Sequence, residues 1–252
     1  MTKVDTALQK TPASASGNKL PVQFDPNVHW NTLPEVTLNT NHLNAKNIVT
    51  AERAHPAHAA FDMLRTRLLQ TLAEYGWTRL AITAPTRGCG SSFVTANLAL
   101  SIARLKAVST VVLDVDVRER SLHSTLGITP RNSMSEYLKG MIAPEDFFVR
   151  TSPNLAFGLN NQNEYSAAEI FQDEMASDVL DELQDLLNPD LILFDLPPAL
   201  EHDDALAILP KVDCVLLVAG AGESKPEDIT KLEQVLSDVK PVLGVMLNKA
   251  NS

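Results

Sequence analysis

Cysteine is nearly missing from this chain: Cys89 and Cys214 are the only two among 252 residues. That is too few for a disulfide framework, and neither has metal-ligand spacing with one of the scattered histidines. Basic charge is also short, with 21 Lys and Arg against 31 Asp and Glu and a net charge of −10. A surface that tracks nucleic acid needs clustered Lys and Arg to displace counterions, so no nucleic-acid partner is expected. No run approaches the roughly 18–20 apolar residues that cross a bilayer, so no direct membrane span is expected. The opening MTKVDTALQKTPASASGNKL lacks an apolar signal core, which makes secretion a poor reading and a cytoplasmic location the plain one. What is present is ordinary for a globular protein: 44% hydrophobic and 21% charged residues, in a length that suits one sizeable α/β domain with an appendage.

Residues 1–50 are rich in Asn, Thr, Pro, Ser and Ala and carry no sustained period. Their four Lys and three acids give 4 − 3 = +1, which leaves −11 for the remainder. The expectation is a flexible N-terminal arm over 1–50 and a single domain over 51–252. The patch PVQFDPNVHW, with Phe24 and Trp30, offers the other reading, a segment that docks on the domain or on a partner.

From Pro56 the pattern changes. Phe61, Leu64, Leu68 and Leu72 form the stripe of an amphipathic helix. Short apolar runs follow at 79–83, 110–114, 155–159, 191–195, 214–220 and 242–248. Several lack polar alternation, as strands buried on both faces do. Helical patterns lie between them: 91–106, with Val94, Leu98, Ile102 and Leu105 on one face, then 166–187 and 225–238. The last opens on Ser224, Lys225, Pro226 and Glu227, which reads as a capping box with proline in the first turn. The alternation predicts a doubly wound, mostly parallel sheet with helices on both faces.

In such a sheet, ligands sit beyond the carboxyl ends of the strands. Three strand ends carry suggestive residues. The loop TRGCGSS precedes helix 91–106; Gly88 and Gly90 let its backbone curl around an anion, and the helix N-terminus aims amides at the same point. Ser92 stands where a P-loop hydroxyl holds Mg²⁺. By itself this loop is equally well a glycine turn. The run VVLDVDVR puts Asp114 and Asp116 on one face of a strand end, where two carboxylates repel unless a cation or proton lies between them. Arg118 either holds a phosphate or balances the acids. In LILFDLPP, Asp195 ends an apolar strand before a rigid Pro-Pro turn. Three such features in order on one sheet are hard to obtain by accident.

From about Asn47 to Asn248 the chain resembles the bacterial tyrosine kinases (BY-kinases) of capsule and exopolysaccharide biosynthesis, in the P-loop class that includes ParA- and MinD-type ATPases. VVLDVDVR and LILFDLPP match that family's second and third motifs, and AFDMLRTRLL, RSLHSTLGI, SMSEYLKG, AAEIF and DALAILPKVDCVLLV support the resemblance. It implies ATP and Mg²⁺ as cofactors, with Ser92, Asp116 and Asp195 holding the metal. Asp114 would orient the metal or accept a tyrosine proton. The amides of Gly88, Cys89, Gly90 and Ser91 would cradle the phosphates. It also implies a homo-oligomer and a membrane polysaccharide co-polymerase as partner, which would recruit the chain to the inner face of the membrane.

Three departures qualify what is implied. The family's Gly-Lys-Ser/Thr is Gly90, Ser91 and Ser92 here, so the lysine that neutralises β/γ-phosphate charge is gone. Arg87, where the family usually has proline, reads as a solvent-facing loop residue; the other reading is a cation that reaches back to compensate. The only tyrosines are Tyr75, Tyr137 and Tyr165, with no C-terminal cluster. The family's oligomerisation helix keeps only Arg65 of its paired arginines, which leaves the ring-shaped assembly, or an ordinary exposed Arg65, both open. Cys89 at a helix N-terminus reads as a small loop residue rather than a redox sensor. The expected function is an ATP-binding, BY-kinase-like protein with weakened or lost phosphotransfer. The alternative is a non-catalytic pseudokinase or scaffold subunit, with a partitioning-type ATPase ranked last.

Overall fold

A computed structural model describes residues 26–48 and 57–250. The apolar runs form strands β1 (Arg79–Thr83), β2 (Thr110–Asp114), β4 (Leu155–Gly158), β5 (Leu191–Asp195), β6 (Cys214–Gly220) and β7 (Val242–Asn248), all parallel. A seventh, β3 (Phe148–Ser152), runs antiparallel to β4, and the sheet order is β3-β4-β2-β5-β1-β6-β7. Five of the six expected strands coincide residue for residue, and the one expected over 155–159 stops at Gly158. β3 escaped the sequence reading because FVRTS is short and half polar; it pairs with β4 on one side and, on the other, only through a single bridge between Arg150 and Glu35.

The central strands are buried on both faces because each face carries its own core. On one face pack α3 (Ala57–Tyr75), α4 (Ser91–Ala103) and α5 (Ser121–Leu126), through Phe61, Leu68, Leu72, Leu98, Ile102 and Leu122 among others. On the other pack α6 (Met134–Leu138), α7 (Pro144–Phe147), α8 (Ala167–Gln172), α9 (Glu174–Leu187), α10 (Asp204–Ile208) and α11 (Pro226–Ser237). Arg65 is not an ordinary exposed residue: its guanidinium donates to the Ser101 carbonyl at 3.0 Å and pairs with Asp62 at 3.1 Å, joining α3 to α4.

Two sequence expectations change here. The helical pattern over 166–187 breaks at Asp173, whose backbone is extended and whose carboxylate accepts the Met175 amide to start α9. The capping box at 224–227 does not form, because the Ser224 hydroxyl turns back to accept the Gly220 amide at 3.0 Å. A capping box forms instead between Ser133 and Glu136, at the start of α6.

The flexible arm does not extend over residues 26–48. These form α1 (Pro26–Thr32) and α2 (Thr40–Ala45), and Trp30, Leu33, Leu43 and Ile48 are buried in the domain. The Trp30 indole donates to the Leu187 carbonyl at 2.7 Å, which gives a large apolar ring both a pocket and a hydrogen-bond partner. Phe24, the other aromatic of that patch, lies outside the described residues.

Candidate functional site

The carboxyl ends of β1, β2 and β5 meet because β5 lies between β1 and β2 in the sheet, although the strands end 31 to 112 residues apart along the chain. Their loops are then tied together by main-chain bonds. The Asp195 carbonyl accepts the amides of Val115 and Asp116 at 2.9 and 3.0 Å, and the Ala199 amide donates to Ala84 at 2.9 Å. Asp114 and Asp195 are register partners on adjacent strands.

Between β1 and α4 the loop turns through Gly88 and Gly90, whose φ values of 83° and 90° lie where only glycine is comfortable. No side chain caps α4, so its first amides are left for another acceptor. The Thr95 hydroxyl, one turn into α4, donates to Asp195 at 2.9 Å. The Ser92 hydroxyl lies 2.5 Å from that of Ser121. Thr95 and Ser121 were missed by the sequence reading; Thr95 was findable as the residue one helical turn on from Ser91 and Ser92.

A cleft of about 240 Å³ opens over this loop, lined by residues 86–93 with Asp116, Glu119, Ser121, Thr125 and Pro198. It collects predicted residues Gly88, Cys89, Gly90, Ser91, Ser92 and Asp116. Asp114, Asp195 and Arg118 are not in its lining. Asp114 and Asp195 lie fully buried. Arg118 is engaged by both oxygens of Asp204, a buried acid at the start of α10, so of its two readings it balances an acid. Cys89 turns its thiol inward, 3.1 Å from the Ser224 hydroxyl. Burial pushes that thiol up, but hydrogen bonds with Ser224 and Thr86 outweigh it and leave it below the usual range.

Three carboxyls crowd the site. Burial, then the charges of Asp195 and Asp116, push Asp114 well above the usual carboxylate range, with Arg120 opposing. Burial also raises Asp195, against the pull of the Ser92 and Thr95 hydroxyls. Asp116 is raised by burial and drawn back by Arg87. Among the described residues neither oxygen of Asp114 has a hydrogen-bond partner, nor does Oδ2 of Asp195. Buried carboxylate oxygens left unpaired are costly unless a proton or cation joins them. This set of hard oxygen donors therefore fits a divalent cation such as Mg²⁺. Among the described residues no three or more Asp, Glu, His or Cys are grouped so as to hold a metal ion by themselves.

Arg87 corrects an expectation. It does not face solvent but bridges three acids: Nη1 lies 2.6 Å from Glu119 and 3.7 Å from Asp116, and Nε lies 3.2 Å from Glu201. Its amide also donates to Glu201 at 2.7 Å. Among the described residues that line the cleft, it is the only cationic one.

Comparison with known proteins supports the fold class. A family model described as ParA, NUBPL iron-transfer P-loop NTPase, matches residues 78–251. The chain is 29% identical over 194 residues to a putative tyrosine-protein kinase, EpsB, of Ralstonia solanacearum, covering 75% of this chain and 25% of that protein. It thus spans about a quarter of the length of that relative. The kinase domain of Escherichia coli tyrosine kinase ETK has a similar structure, with TM-score 0.72, 25% identity and coverage of 79% and 78% of the two chains. The fold is shared with the septum site-determining protein MinD of Pyrococcus horikoshii, whose structure is a complex with Mg-ADP (TM-score 0.55, 23% identity, coverage 68% and 69%). No described helix is long and apolar enough to cross a membrane.

Proposed function

Because the chain belongs to the ParA family of P-loop NTPases, we propose that it is a Mg·ATP-binding, BY-kinase-like domain of exopolysaccharide or capsule biosynthesis whose phosphotransfer is weak or lost. One observation carries this reading: Ser92 and Asp116 line a cleft over a glycine loop in which Ser91 stands in place of the lysine, with the buried carboxyls of Asp114 and Asp195 at the adjoining strand ends. ATP would supply the phosphoryl group. The loop amides from Gly88 to Ser91 bind its phosphates, and Ser92, Asp116 and Asp195 hold the cation. Complete burial suits Asp114 to orienting that cation from within rather than to taking a proton from a tyrosine. The partner is a membrane polysaccharide co-polymerase, and residues 26–48 belong to the nucleotide domain in this reading.

The missing lysine decides between binding and catalysis. A charge-assisted hydrogen bond is worth about 1.5–3 kcal/mol in binding, and loss of a transition-state electrostatic stabiliser costs a further ~10²–10³ in rate. Binding therefore survives its loss better than transfer does. A non-catalytic scaffold is the second reading, favoured by the capture of Arg87 by three acids.

The test compares the natural chain with Ser91→Lys in Mg·ATP titrations and phosphotransfer to a tyrosine-containing polymer. The natural chain is expected to bind Mg·ATP and transfer little; the lysine variant binds about tenfold or more tightly and transfers ~10²–10³ faster. Robust transfer by the natural chain overturns weakened catalysis. No binding at millimolar Mg·ATP overturns the nucleotide site itself.

A further inference from the structure

The cleft has a charge problem that its geometry partly answers. Asp116 and Glu119 line it, and Glu201 reaches its edge through Arg87. A nucleotide brings several more negative charges to the same place. Arg118, which the motif would offer as a phosphate ligand, is held by both oxygens of buried Asp204. Arg87 is the cation that remains on the loop itself, one residue before Gly88.

We propose that Arg87 is the phosphate-binding cation of this site, replacing from the loop's entry the lysine absent at Ser91, and that Glu119, Asp116 and Glu201 hold it in reserve until Mg·nucleotide arrives. This rests on the Mg·ATP reading above. Its grounds are chemical. Two of the three pairs are weak for different reasons: Nη1 is 3.7 Å from Asp116, and Glu119, although 2.6 Å away, is 54% exposed. Exposed ion pairs are screened by water and contribute little. A divalent cation at Asp116 would compete directly for the same carboxylate, which weakens the clasp as it binds. The guanidinium, a planar fork with five donors, matches phosphate oxygens two at a time. An arginine that merely closed the loop would need one acid. Three acids from two strand-end loops, Asp116 and Glu119 after β2 and Glu201 after β5, converge on a residue beside the glycine turn and make a clasp that senses what occupies the cleft.

The experiment measures Mg·ATP affinity of the full chain by calorimetry for wild type, Arg87→Ala, Arg87→Lys and the double variant Glu119→Gln/Glu201→Gln, with melting curves for each. Arg87→Ala is expected to lose about tenfold or more in affinity, and Arg87→Lys to recover a large part of it. The double variant, with Arg87 released, binds several-fold more tightly than wild type. Should Arg87→Ala fail to fold, the double variant and Arg87→Lys still decide the matter. Wild-type affinity in Arg87→Ala, or no tightening in the double variant, overturns the role of Arg87 while leaving the nucleotide site intact. Absence of binding by the wild-type chain instead overturns the nucleotide site from which this role follows.

Discussion

Asp114 sits at the end of β2 with both carboxylate oxygens buried and unpaired, facing Asp195 across the strand register. An unfolded aspartate titrates near pH 4, but burial and neighbouring acids hold the folded group's pKa well above that. Between the two values the folded state binds more protons than the unfolded chain, so stability falls as pH rises through that window and levels off above it. An asparagine is neutral throughout. Asp114→Asn is therefore expected to melt a few degrees above the natural chain at pH 8 without nucleotide, with the difference narrowing toward pH 5. Melting curves at both pH values check this; equal melting points at pH 8 would mean that the carboxyl already has a compensating partner. The same reasoning makes the natural residue intelligible, since a site that tolerates unpaired acids at rest is one prepared for a cation.

At the scale of elements, the loop from β1 to α4 depends on a single backbone choice. Gly90 has φ 90°, and a Cβ there would collide with the Asn248 side chain, whose amide donates to the Cys89 carbonyl at 2.9 Å. Left-handed backbone at a non-glycine residue costs about 1–3 kcal/mol, and the collision adds to it. Gly90→Ala should lower the urea midpoint accordingly and weaken Mg·ATP binding, read by denaturation and calorimetry. The bond from Asn248 also explains why the last strand matters to a site formed at the first. This link was invisible in the sequence, where Asn248 is only a polar residue closing an apolar run. The false capping box at Ser224 has a related cause. Its spacing was correct, but the Gly220 amide competed for the hydroxyl, a partner close only because β6 ends there.

For the whole molecule, the question is where the cooperative unit begins. Trp30 fills a space beside α9 and donates to Leu187, which places α1 in the same core as the sheet. Truncating a buried tryptophan costs about 3–5 kcal/mol. If residues 26–48 fold with the domain, Trp30→Ala lowers the global urea midpoint with an unchanged slope. A separable arm would leave that midpoint where it was. Composition could not have told the two apart, because a segment rich in Asn, Thr and Pro becomes ordered when a few apolar side chains find a cavity that distant elements supply.

The sequence by itself determined the six parallel strands and the address of the site. Continuous apolar runs specify strands buried on both faces, and acids or glycines at their ends can only collect at the carboxyl edge of a parallel sheet. It also exposed the missing lysine at Ser91. Tertiary structure alone decided how the charges pair: that Arg118 belongs to Asp204, that Arg87 belongs to three acids, and that Asp114 has no hydrogen-bond partner among the described residues. Hydrophobic pattern is written in local periodicity, which a chain carries in its order of residues. Ion pairing at a few ångströms joins residues up to 114 positions apart, as Arg87 and Glu201 are, and only the packed fold sets those distances.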